Sequence, residues 1–133
     1  MNIVRRRLLV LVIGLSGLGV SAQEGHPLTG TWAGDWGAAD AARRTHLTVV
    51  MNWDGKAITG LINPGPAAIP LRTVRVNWAN WTVRIDASAP DPSGTPLPIV
   101  AEGRLEDIGS ARRRIVGTWT QGDMVGQFRL TRE

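Results

Sequence analysis

From Gly30 onward, apolar and polar residues alternate at period two in short runs, and turn-forming residues recur between them at short, regular spacing. Successive side chains on a strand point to opposite faces, so a chain written this way buries one face of each strand and folds as an all-β barrel or sandwich. No segment after the first 22 residues carries the periodicity of an amphipathic helix. Eight strands are expected, at Gly30 to Trp36, Arg43 to Trp53, Lys56 to Asn63, Ile69 to Trp78, Trp81 to Ser88, Pro98 to Glu106, Arg112 to Gln121 and Met124 to Arg132. The expected architecture is one domain, residues 30–133, forming an eight-stranded antiparallel up-and-down barrel behind a short tail at 23–29.

The turns set the expected register. Asp54-Gly55 suits a two-residue turn with positive φ, which would place Met51 opposite Ile58, Val49 opposite Gly60 and Leu47 opposite Ile62. Gly122-Asp123 would place Trp119 opposite Gly126 and Gly117 opposite Phe128, each aromatic ring over a bare backbone. Ala79-Asn80 would pair Val76 with Val83 and Val74 with Ile85, at the cost of setting Arg75 against Arg84 on the outer face. In an up-and-down barrel the turns at Asp54-Gly55 and Ala79-Asn80 then share one tight end, which Trp32, Trp53, Trp78 and Trp81 would plug. The longer links at 37–42, 64–68 and 89–97 share the other end. By strand parity Trp36, Arg43, Thr45, Arg72, Trp119 and Gln121 point inward there and form the candidate ligand mouth.

The first 22 residues read as a secretory leader: Arg5, Arg6 and Arg7, then an apolar run from Leu8 to Val20, then the small residues Ser21 and Ala22. The apolar run is shorter than the roughly 20 residues that span a bilayer, so cleavage after Ala22 is expected over anchoring. The product would be periplasmic or secreted, with no membrane attachment after cleavage. There is no cysteine, so neither a lipobox lipid nor a disulfide enters the account. With the leader removed, twelve basic residues face eleven acidic ones, a net charge of +1. Such a chain lacks the basic stripe that nucleic-acid binding needs.

Catalytic chemistry finds little support. The two histidines, His26 near the new terminus and His46 on an outward strand position, form no cluster with carboxylates and read as solvent-exposed. No metal site, no cofactor and no nucleophile elbow of the form G-x-S-x-G is expected. Glu102 and Glu106 alternate with apolar neighbours and read as outer-face carboxylates paired with arginines across strands, each pair worth ~0.2–1 kcal/mol. Asp35 lies near the mouth but points outward. No catalytic residue is assigned.

Gly30-Thr31-Trp32 opens the first strand and recurs as Gly117-Thr118-Trp119 in the seventh, followed by Gln121-Gly122 and a last apolar strand ending in Arg132. This arrangement resembles the small lipocalin-like barrel modules of exported bacterial proteins, found alone or fused to hydrolases. The resemblance implies that Trp32 packs across the closed end beneath a cation from Arg132 or Arg129. Leu28 to Trp32 and Val125-Gly126 also look like an avidin-type barrel. That family's ligand residues do not follow, since there is no tyrosine and Gly34 stands where it has a ligand-binding asparagine. The function expected is a non-enzymatic exported module that binds a small amphipathic or aromatic molecule, or an accessory barrel to a partner. The alternative is a protein-interaction or inhibitor module using the Pro/Gly-rich loops. Six tryptophans leave the lower interior packed and the pocket shallow, above Trp36 and Trp119.

Overall fold

The computed structural model describes residues 26–40 and 42–133, so the expected leader and residues 23–25 of the tail lie outside the described residues. Eight strands follow one another: β1 (Gly30–Ala38), β2 (Thr45–Trp53), β3 (Ile58–Ile62), β4 (Ile69–Asn77), β5 (Thr82–Pro90), β6 (Pro96–Glu106), β7 (Arg114–Gln121) and β8 (Met124–Arg132). Each is antiparallel to its neighbours in sequence, and β8 returns to β1, closing the barrel without crossovers. Closure leaves no free sheet edge at the β1–β8 join, where Trp32 to Ala38 pair with Arg132 to Gly126.

The period-two pattern is realised as inner and outer faces. Val49 and Met51, Val83 and Ile85, and Phe128 and Leu130 are buried, while residues between them face out. The β7–β8 hairpin has the expected register, Trp119 against Gly126 and Gly117 against Phe128. A methyl at Gly126 would sit 2.5 Å from Trp119 Nε1, so glycine is what lets the indole lie flat against β8. The β4–β5 hairpin is also as expected, including Arg75 opposite Arg84. Arg84 offsets that repulsion by pairing with Glu102 at 2.9 Å and Asp86 at 3.4 Å.

The β2–β3 hairpin differs from expectation by two residues: Val49 faces Ile62, Met51 faces Gly60 and Trp53 faces Ile58. Asp54 does not take a positive φ; only Gly55 does within the turn. The Asp54 carboxylate instead accepts the N–H groups of Lys56 and Ala57, both at 2.8 Å, while Asp54 N–H donates to Ala57 O. The side chain thus serves as a turn acceptor, which moves the tip to Gly55-Lys56. A shift of two keeps every side chain on its expected face.

The tight end is plugged by fewer tryptophans than expected. Trp32 and Leu28 are fully buried, and Trp32 Nε1 donates to Leu28 O at 2.8 Å. Arg132 Nε donates to Thr29 O at 2.7 Å and Nη1 to Ala111 O at 3.1 Å, stitching the chain's first described turn to the end of β8. Arg129, the other candidate to cap Trp32, faces out and bonds Asp35. Trp53 and Trp78 stay on the rim, 42% and 52% exposed, because the 26–29 segment already occupies the plug position. His26 corrects the reading of exposed histidines: its ring lies 4.8 Å from that of Trp53 and 5.7 Å from that of Trp78. Burial lowers its pKa.

Candidate functional site

The loop-rich end is built by the last residues of β1, β3, β5 and β7 and the links that follow them. Inner-face parity brings Trp36 from β1 and Trp119 from β7 together, their ring centroids 5.3 Å apart and their planes tilted by 49°. Below and beside them Leu47, Val49, Ile62, Leu71, Ile85 and Phe128 help to enclose a cavity of about 40 Å³, lined only by apolar side chains. This exceeds the ~10–15 Å³ one water needs, but a water there would lack polar partners, so such a space stays dry and suits apolar groups.

The two rings that border this space also carry polar atoms, which are buried in the wall and do not open onto the cavity. The indole Nε1 of Trp36 and that of Trp119 are buried and have no hydrogen-bond partner. Buried indole N–H groups normally find an acceptor, and each one left alone costs about 1–3 kcal/mol. Gln121, 6% exposed, has its own partner, donating from Nε2 to Ala89 O at 2.8 Å, and so ties the end of β7 to β5.

The three remaining mouth residues do not join this group. Arg43 precedes β2 and is exposed, and Thr45, though opposite Trp36, is exposed at the rim. Arg72 is turned out by a register shift in β4 between Leu71 and Thr73, where an extra residue breaks the alternation counted back from Val74. Sequence parity has no signal for that bulge.

The carboxylates weighed for chemistry are held structurally. Asp35 accepts from Arg44 Nε at 2.8 Å and from Arg129 Nε at 3.0 Å on the outer face. Its partial burial would raise the carboxyl pKa, but the bonds from Arg44 and Arg129 outweigh that and lower it, keeping Asp35 ionised. Glu102 and Glu106 pair with Arg84 and Arg114, the residues directly opposite them. Among the described residues no group of three His, Cys, Asp or Glu side chains is placed to hold a metal ion.

What sequence parity missed is the state of the indole nitrogens, since the same letter codes for bonded Trp32 and for unbonded Trp36 and Trp119. Compared with protein-family models, with curated proteins and with solved structures, the chain matches none of them.

Proposed function

We propose that this chain is an exported, lipocalin-like module that takes a small, largely apolar molecule bearing a hydrogen-bond acceptor into the open end of its barrel. The observation that carries this reading is the pair of unpartnered indole N–H groups, Trp36 Nε1 and Trp119 Nε1, beside a dry apolar cavity. With a small turn of either ring toward the cavity, a carbonyl, ether, hydroxyl or carboxylate oxygen meets the unmet valence of those donors. A short apolar group fills the space below, and bulkier parts extend past the rim, where Arg43 lies exposed. Binding then gains on two counts, the apolar area removed from water and the relief of two desolvated donors. No residue of this site is assigned a catalytic role.

Native mass spectrometry of the protein purified gently from the exported fraction tests this, beside a Trp36→Phe/Trp119→Phe variant that keeps an aromatic ring at each position and removes both donors. An adduct of reproducible mass on the natural chain, lost or much reduced on the variant, is the expected result. A bare mass on both would overturn the ligand reading in favour of an accessory barrel.

A further inference from the structure

β4 stands apart from the other strands: it is the one described strand with no fully buried residue, although Val74 and Val76 point inward. Opposite them on β5, Val83 and Ile85 are 2% and 7% exposed. The reason is missing cover on the other side. β3 pairs with β4 only through Leu61–Pro70 and Ile62–Ile69, and β3 begins at Ile58, while β4 runs on to Asn77. Pro70 offers no N–H to extend the ladder, and the bulge at Arg72 re-aims the strand just where pairing would continue. From Thr73 to Asn77, β4 therefore pairs with β5 alone and presents its second edge unpaired among the described residues.

Cations flank that edge. Arg72 and Arg75 project from β4 and Lys56 from the β2–β3 turn, all three exposed and outside every ion pair among the described residues. The nearby acids are already engaged: Asp54 by the N–H groups of its own turn, and Asp86 by Thr73 and Arg84, with the Arg75 charge close enough to help hold its carboxyl low without forming an ion pair. At the foot of the edge lie the exposed rings of Trp53 and Trp78, bridged by His26.

We propose that the lower edge of β4 is a docking site for an extended acidic segment of a partner protein, added as a strand beside Thr73 to Asn77. Main-chain bonds to the free edge supply affinity, as in other strand additions. Alternation in the added strand then sets specificity: inward apolar side chains cover Val74 and Val76, and outward carboxylates meet Arg72, Arg75 and Lys56. An apolar residue at one end packs on Trp53 and Trp78. This site is on the barrel wall and is independent of the ligand mouth.

Two peptides of about six residues test it, one alternating valine with glutamate and the other valine with lysine. The readouts are hydrogen exchange of the Thr73 to Asn77 amides and the Trp53 and Trp78 indole resonances. The glutamate peptide is expected to bind and protect those amides, and the lysine peptide to leave them unchanged. An Arg72→Glu/Arg75→Glu variant, altered only on the surface, is expected to bind the glutamate peptide about tenfold more weakly and to gain binding of the lysine peptide. Equal binding of both peptides, binding of neither, or a concentration-dependent dimer that protects the same amides without peptide would overturn the proposal.

Discussion

The two ends of this barrel use the same side chain to opposite effect. At the tight end Trp32 is fully buried and its indole N–H donates to Leu28 O; at the open end Trp36 and Trp119 bury theirs with no acceptor. The tight end is also stitched by Arg132 to Thr29 and Ala111, whereas the open end encloses an unfilled apolar space. A satisfied polar group under dense packing stabilises a fold, while an unsatisfied one beside a cavity costs stability that a ligand can return. The closed end thus serves the fold, and the open end is where the proposed guest would enter.

The largest effect is expected from Trp32→Ala, which removes a fully buried indole and leaves Leu28 O without its donor. A loss of ~3–5 kcal/mol in urea unfolding is expected, enough to remove much of a small domain's stability. A sharper contrast comes from phenylalanine at both ends. Trp32→Phe should cost ~1–3 kcal/mol more than Trp119→Phe, because only the first breaks a satisfied hydrogen bond. Equal losses would break the distinction between the ends.

Gly126→Ala comes next, since its new methyl falls 2.5 Å from Trp119 Nε1 and meets Gly37 O closer still. Overpacking of ~1–3 kcal/mol is expected, with a shift in tryptophan emission as Trp119 is pushed toward the cavity.

A smaller effect separates the ends by pH. Burial between Trp53 and Trp78 depresses the His26 pKa from its ordinary 6.5, so the unfolded chain binds this proton more readily than the folded one. Stability is therefore expected to fall as pH drops below 6.5 toward the folded-state pKa, and the carboxylates with lowered pKa, Asp35 and Asp86 among them, act only below their ordinary 3.8. Thermal melts of His26→Gln should lose the first slope and keep the second. The smallest change is expected from Asp35→Asn at the outer wall of the open end, ~1 kcal/mol or less in the same melts, because Arg44 and Arg129 remain partly solvated.

Much of this architecture was legible in the sequence because period-two alternation assigns faces without needing contacts. The strand from Met124 to Arg132, the strand expected from Ile69 to Trp78 that ends one residue earlier at Asn77, and the Trp119–Gly126 pairing followed from pattern and turn chemistry. The failures have a common cause, a local choice between two uses of one residue. Asp54 served as a side-chain acceptor and not as a positive-φ turn residue, and Arg72 sat in a bulge and not in a regular strand. For the site, parity brought Trp36, Trp119 and Gln121 together but could not show that Gln121 is bonded while the two indoles are not.

The contrast between the ends is tested most directly by the indole N–H resonances of the six tryptophans, followed while adding cyclopentanone or cyclopentane, a pair alike in shape but differing in one acceptor oxygen. The account predicts that cyclopentanone shifts the Trp36 and Trp119 signals and leaves Trp32 in place, and that cyclopentane moves them far less. Signals that stay fixed with both probes, or respond equally to both, would contradict it.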